Sequence, residues 1–456
     1  MSQQGPLLIV ADDGRPSFAT ALDEAQMFPL IDTNFANAAR AVAQVQPAAV
    51  LADMRGADDE RFAALAKLIA AHKPYLPLIA IQPEGIPGEN AIPFTPHASN
   101  FDRLPARLRA ALRVRTLHTT LLRRLTDARA EGSVLPAIDP ARDATVLLLG
   151  RGGAYPALSV SLGERMGVVG AFSIEAAASH LNNRDIDGIV LGEGFTARVM
   201  DAFLTVMSED ARFRHLPIIL TSQELAPTYE LPNLEIICGE PDHIAANALP
   251  LIRQRAFEAQ LGRTLRAFEA KGLLDPQTGL LTLTAFDRDL AGAVKRTQSD
   301  GGGLSVARFA FDPQNPRARF DGARIISKLM RKMDFGAVQR DGSVIVAFAD
   351  TDLRTAHGIA DLQRTARHAL RSGRDGRDLA AEGFRAIAAG AAPRRSAPRG
   401  VLTTQRPTRP SSPRRGEQAD AGSGLRLSAA PPASPNPGRT RPSCRDAPAQ
   451  PGRAGG

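Results

Sequence analysis

Short apolar segments that stop abruptly at an acidic residue or a glycine, each followed by a helical stretch, punctuate the first 262 residues. Leu7-Leu8-Ile9-Val10 runs into Ala11-Asp12-Asp13, and Ala48-Ala49-Val50-Leu51-Ala52 ends at Asp53. Leu76 to Ile81 gives a further strand and Ala91 to Phe94 a weak last one. The spacing predicts helices near 16–26, 35–45 and 59–71, a short element around Pro29-Leu30-Ile31, and another helix from Leu104. Strands that alternate with helices imply a parallel sheet with ligands at the strand C-terminal ends. The scheme returns over 142–262, where Val146 to Leu149 precedes Gly150 and Gly188 to Leu191 precedes Gly192. Leu216 to Thr221 and Leu234 to Cys238 complete the second set. A period near 140 residues is far too long for a solenoid, so this is a duplicated architecture. Residues 128–141 read as the linker.

Charge is unevenly placed. The chain carries a formal net charge of +8, but residues 372–456 hold 15 Arg against 6 acidic residues, leaving 41 basic against 42 acidic before them. The alkaline balance therefore belongs to the tail, which argues against a nucleic-acid-binding face on the folded part. Two cysteines, Cys238 and Cys444, exclude a disulfide framework and a Cys-based zinc site, and the eight histidines show no metal-binding spacing. No uncharged apolar stretch is long enough to span a membrane, and the expected location is the cytoplasm.

From Leu249 to Phe268, apolar residues fall three to five apart, as in a helix that could pair with a copy of itself. A third unit begins at Leu274-Asp275-Pro276 and stays periodic to about Leu370. From residue 372 the chain holds 12 Pro, 12 Gly and 16 Ala among 85 residues and loses all periodicity, so it reads as disordered. A GC-rich gene read out of frame would give such a composition.

Both N-terminal units resemble response-regulator receiver domains. In that family an acidic pair at a strand end holds Mg²⁺ and an Asp ending the third strand takes up a phosphoryl group. The metal must neutralise both carboxylate and phosphate, which is why the acids cluster. The resemblance places Asp12 and Asp13 at the acidic pair and Asp53 at the acceptor, so Mg²⁺ at Asp12, Asp13 and Asp53 is the expected cofactor. The Thr/Ser and Lys that sense the product are replaced by Gln82 and Thr95. In the second unit Gly150-Arg151 replaces the acidic pair and Gly192 the acceptor, while Thr221 survives, so an adaptor is expected.

The third unit is similar to GGDEF domains, the diguanylate cyclase fold. Asp275-Pro276-Gln277-Thr278-Gly279-Leu280, then Thr284-Ala285-Phe286, is close to that family's opening motif. A strand Leu304 to Phe311, a helix Ala323 to Met333 and a hairpin Gly336 to Phe348 follow in the family's order. The signature loop falls on Arg340-Asp341-Gly342-Ser343-Val344, with Gly342 and Ser343 at the two acidic positions. Ala310 stands at the first-strand metal position, and guanine-recognising residues have no match in 313–321. Two-metal chemistry needs those ligands, so no catalysis is expected. Arg331-Lys332-Met333-Asp334 matches the family's inhibitory R-x-x-D site, which implies cyclic di-GMP binding through Arg331 and Asp334.

The expected class is α/β. Two doubly wound, flavodoxin-like, receiver-like domains (1–127 and 142–262) are followed by a helical connector (263–273), a truncated GGDEF-like domain (274–373) and a disordered tail (374–456). The order resembles PleD-type response regulators, in a catalytically degenerate form. It implies a non-catalytic effector or adaptor of the cyclic di-GMP and two-component network. The partners would be cyclic di-GMP, a histidine kinase or downstream signalling protein, and a second copy bound through the connector helix. The alternatives are a residual cyclase making cyclic di-GMP from GTP and a phospho-switch through Asp53.

Overall fold

The computed structural model describes residues 5–25, 28–83, 85, 88–96, 100–127, 139–222, 229–300, 303–312, 315–352, 354–359 and 385–388. The first sheet takes β1 (Leu7–Val10), β2 (Leu30–Thr33), β3 (Ala49–Asp53), β4 (Leu78–Ile81) and β5 (Ala91–Phe94). Its order is β2-β1-β3-β4-β5, all parallel. Helices α1 (Ser17–Glu24), α2 (Phe35–Val45), α3 (Asp59–Ala70) and α4 (Leu104–Asp127) cover its two faces. Every residue of β1 and β3 is buried, as a strand packed on both sides requires. Local chemistry sets the helix starts: Asn34 accepts from the Asn37 amide, and Asp58 accepts from the amides of Glu60 and Arg61.

The second sheet repeats this winding. After α5 (Pro140–Asp143) come β6 (Thr145–Leu149), α6 (Tyr155–Gly163), β7 (Gly167–Ala171), α7 (Ile174–Asn183), β8 (Gly188–Leu191), α8 (Ala197–Glu209), β9 (Ile218–Leu220), β10 (Leu234–Ile236) and α9 (Pro241–Glu269). The order β10-β9-β8-β6-β7 is again fully parallel, with the first strand between the second and the third. Among the described residues, neither sheet has a helix between its fourth and fifth strands.

The two modules meet across β5, β10 and their following helices. Arg107 of α4 is fully buried and pairs with buried Glu235 of β10 at 2.7 Å. Its other donors reach the carbonyls of Pro232 (2.5 Å), Pro93 (2.7 Å) and Leu234 (3.2 Å). Burial pushes the Glu235 carboxyl up, but four acceptors around one guanidinium favour the ionised pair.

Helix α9 overturns two sequence expectations. It is one continuous helix of 29 residues, so no boundary at 262 separates the second module from a connector at 263–273. Its apolar stripe does not wait for a second copy: Phe257, Leu261 and Leu265 pack against Val114, Leu117, Leu121 and Leu125 of α4 in the same chain. The spacing identified an apolar face correctly, but spacing carries no information about which partner covers it. Further up the same helix, Ala245, Leu249 and Ile252 complete the core of the second sheet, while Leu251 lies in the core of the first.

Asp187, just before β8, is buried and accepts from the Thr145 amide at 2.8 Å. Burial pushes its carboxyl up to about 6, with Asp185 adding to the rise and Arg263, Arg255 and the Thr145 amide opposing it. An unfolded aspartate titrates near ~4, so between ~4 and ~6 the folded state holds the extra proton. Stability from this residue is complete below that window and is lost as pH rises through it. Asp187→Asn keeps an acceptor for the amide and removes the titration. The variant should match the wild type in urea unfolding near pH 4 and exceed it near pH 7 by about 2–3 kcal/mol. An equal difference at both pH values would refute the assignment.

The third sheet is antiparallel. It is built from β11 (Leu304–Phe309), β12 (Phe335–Val338), β13 (Val344–Ala349) and β14 (Arg385–Ala388), in the order β12-β13-β11-β14. Helices α10 (Leu283–Asp300) and α11 (Pro316–Leu329) accompany it. In the turn before α10, Asp275 accepts from the Thr278 amide at 3.1 Å and its hydroxyl at 2.5 Å. Strand β14 corrects the boundary at 373. Residues assigned to the tail supply a strand that pairs with the open edge of β11, so the domain does not end at 373. That pairing is nonlocal, and Arg385-Ala386-Ile387-Ala388 has too little alternation to announce it. The rest of the expected tail lies outside the described residues. The helix expected over 323–333 also ends early, at Leu329, which leaves Arg331 to Asp334 in the turn that follows.

Candidate functional site

At the C-terminal end of the first sheet, strand geometry brings Asp53 to the mouth of the module. Both of its oxygens are already engaged. Arg55, two residues on, donates Nε to Oδ1 at 3.1 Å and Nη2 to Oδ2 at 2.7 Å, and the Arg55 amide adds 3.2 Å to Oδ1. The hydrogen bond and charge of Asp53 raise the Arg55 guanidinium, with a smaller contribution from Asp13. Asp12 turns away and accepts from the Phe35 amide at 3.0 Å, at the start of α2. Among the described residues no group of three carboxylate, His or Cys side chains is arranged to hold a metal ion. Arg55 thus places a positive charge directly against Asp53. The spacing Asp53-x-Arg55 was visible in the sequence, but nothing there said that the side chain would fold back.

Gln82 and Thr95 are engaged by neighbouring groups. Gln82 adopts a left-handed backbone (φ 51°), and its amide donates to the Phe94 carbonyl at 2.9 Å. The Thr95 amide donates to Glu235 of the second module at 3.3 Å. In that module the corresponding loops close on themselves. The amides of Arg151 and Gly152 donate to the Glu193 carbonyl at 2.8 and 3.1 Å, and Thr221 Oγ1 donates to the Leu191 carbonyl at 3.2 Å. These bonds hold the loops together, and the cavity beside them is about 50 Å³.

The third candidate place is the hairpin tip between β12 and β13. The Gln339 amide bonds the Ser343 carbonyl at 2.7 Å, and Gly342 sits at φ 82°, a left-handed value that glycine adopts without strain. Asp341 accepts from the Ser343 amide (2.9 Å) and hydroxyl (2.7 Å), and it pairs with Arg308 of β11. The Ser343 bonds, with the Arg308 charge behind them, hold the Asp341 carboxyl below its usual range. Arg308 Nε also reaches Ser343 Oγ at 2.9 Å. Arg319 of α11 lies directly over Gly342, so close that a Cβ there would fall 2.3 Å from its guanidinium. Two guanidinium groups therefore converge on Gly342 and Ser343. Asp341 offsets the charge of Arg308, so the repulsion that a cation meets at the tip comes mainly from Arg319, ~4 kcal/mol per unit charge at ~4 Å near a protein surface. Arg308 and Arg319 were not singled out from the sequence, because nothing local links them to the hairpin.

Arg331 and Asp334 differ in availability. Arg331 is exposed. Asp334 is buried, and its carboxylate accepts from the amides of Arg331 (3.4 Å) and Ala349 (3.3 Å), tying the turn to the end of β13. Burial raises its carboxyl, and those two amides partly offset the rise.

No family model matches the chain, and no curated protein matches it. Among solved structures, it is similar in part to the coiled coil and GGDEF domain of DgcB from Caulobacter crescentus in complex with c-di-GMP. That match has 16% identity, covers 23% of this chain and 60% of that one, and has a TM-score of 0.20. A sensory box/GGDEF family protein from Caulobacter crescentus matches at 21% identity, covering 26% of this chain and 83% of that one, with a TM-score of 0.21. Diguanylate cyclase SiaD, in complex with its activator SiaC from Pseudomonas aeruginosa, matches at 20% identity, covering 28% and 53%, with a TM-score of 0.21. The chain thus spans less than two thirds of the DgcB and SiaD chains.

Proposed function

We propose that this chain is a non-catalytic signalling protein of the cyclic di-GMP network, an effector or adaptor that works through protein contacts. The observation that supports this reading best is the hairpin tip. Where a cyclase of the family it resembles needs carboxylates for two metal ions, this chain has Gly342 and Ser343 under Arg308 and Arg319. The one carboxylate at the tip, Asp341, is already paired with Arg308, which leaves little to hold the metal ions of a GTP complex. Both oxygens of Asp53 are held by Arg55, which speaks against a phospho-switch and leaves the first module a scaffold. Mg²⁺ has the same competitor there.

Cyclic di-GMP recognition rests, in this reading, on the exposed Arg331. Its fork suits a phosphate or a guanine edge, whereas Asp334 mainly holds the turn in place. One two-armed experiment tests the proposal. The full chain incubated with GTP and Mg²⁺ or Mn²⁺ should form no cyclic di-GMP above a blank, and clear turnover would overturn the non-catalytic reading. In calorimetry, cyclic di-GMP should bind the same protein, and Arg331→Ala should weaken it about tenfold to a hundredfold. A folded protein that binds none would end the effector reading.

A further inference from the structure

Between the second doubly wound module, helix α9 and the third module lies a cavity of about 410 Å³. This is within the ordinary range for a small-molecule site. Five arginines line it, Arg142, Arg165, Arg263, Arg317 and Arg324, against two acids, Asp143 and Glu164. Four separate stretches of chain supply those arginines, so the fold and no single motif has gathered them. Like charges brought this close repel one another unless something neutralises them.

Part of the neutralisation is internal. Asp143 accepts from Arg324 at 3.0 and 2.5 Å and from Arg263 at 3.2 Å. That leaves Arg142, Arg165 and Arg317 facing the cavity with Glu164 as the other acid in the lining. Arg317 donates Nη2 to the Ala144 carbonyl and has Asp321 at 3.9 Å. The deepest group is also incompletely used. The Arg263 side chain is 9% exposed, and its Nε is buried without a hydrogen-bond partner, as is Nε of Arg317. A buried donor left unmade is costly. Together with the excess of guanidinium groups over carboxylates in the lining, this tightly packed cluster leaves room for an anion to supply the missing counter-charge.

We infer that this cavity binds a phosphorylated nucleoside, with the phosphate on the arginines. Guanidinium forks match phosphate oxygens in pairs. Phe320 and Met166 provide apolar wall for a planar ring, and the amides of Gln260, Gln277 and Asn315 can read its polar edge. Because the walls come from both the second and the third module, a bound ligand would fasten the two together. None of these residues is Arg331 or belongs to the hairpin tip, so the inference stands apart from the function proposed above.

The probes are guanosine and adenosine 5′-monophosphate, with guanosine and inorganic phosphate as controls, titrated into the full chain by calorimetry. At least one monophosphate should bind clearly more tightly than either control. Arg142→Gln and Arg165→Gln alter exposed rim residues that carry no structural ion pair here. Each should weaken that binding about tenfold or more, with the circular dichroism spectrum unchanged. Arg317→Gln should do the same, and Arg331→Ala should leave it intact. The inference is overturned if the folded chain binds neither monophosphate better than the controls. It is overturned equally if the rim variants bind like wild type, or if Arg331→Ala abolishes the binding.

Discussion

Arg107→Met is expected to lower the stability of the chain by about 3–5 kcal/mol, because it strands the Glu235 carboxylate in a site from which water is excluded. Both side chains are at most 1% exposed. The loss should appear as a lower urea midpoint with a slope that changes little. Two effects add: Glu235 keeps only the Thr95 amide as a hydrogen-bond partner, and the carbonyls of Pro93 and Pro232 lose the Arg107 donor, while Leu234 keeps Arg103 at 2.6 Å. Adding Glu235→Leu to the same protein should recover most of the loss, since a well-packed apolar pair can replace a buried ion pair without penalty. A single variant that unfolds within about 1 kcal/mol of wild type would mean that the pair is hydrated, because exposed pairs contribute no more than that.

The second large effect is expected at Asp143. Its carboxylate bridges Arg263 and Arg324, whose side chains are only 9% and 8% exposed. Asp143→Ala leaves two buried guanidinium groups without their shared counter-ion, and should cost about 2–4 kcal/mol given that Asp143 itself touches solvent. Arg324 is in α11 and Asp143 in α5, so the loss falls on the contact between the second and third modules. Scanning calorimetry should then split one transition into two, with the third module melting first. Asp143→Asn, which keeps an acceptor, should give a smaller split. A single unshifted transition in Asp143→Ala would show that the bridge does not couple the modules.

How much of this was readable beforehand depends on the range of the interaction. The parallel strands stood out because a strand buried on both faces must be apolar along its whole length, as Leu7 to Val10 and Ala49 to Ala52 are. The apolar face of α9 was readable for the same reason. Its partner was not, because nothing in a stripe of Phe257, Leu261 and Leu265 says whether α4 or a second copy will cover it. At the candidate sites, the small residues Gly150, Gly192, Gly342 and Ser343 were plain, since identity is visible in a string of letters. What surrounds them was not. Arg308 reaches Ser343 across the sheet from 35 residues away, and Arg319 comes from a different helix. Gly322 tells the same story: a Cβ there would fall 2.0 Å from the Phe311 ring, a close approach between helix and loop that composition does not foretell.

The placement of Leu251 has a consequence for how the chain is made. This residue is 1% exposed and sits among Leu7, Ile9, Leu51 and Ile81, in the core of the sheet that was synthesised first. A ribosome that has just added Asp127 has completed every strand and helix of that sheet, yet it is still 124 residues short of the side chain that closes the core. Until then the nascent first module carries an uncovered apolar spot, together with Arg107 and no Glu235 to meet it. Its final closure therefore waits for the second module.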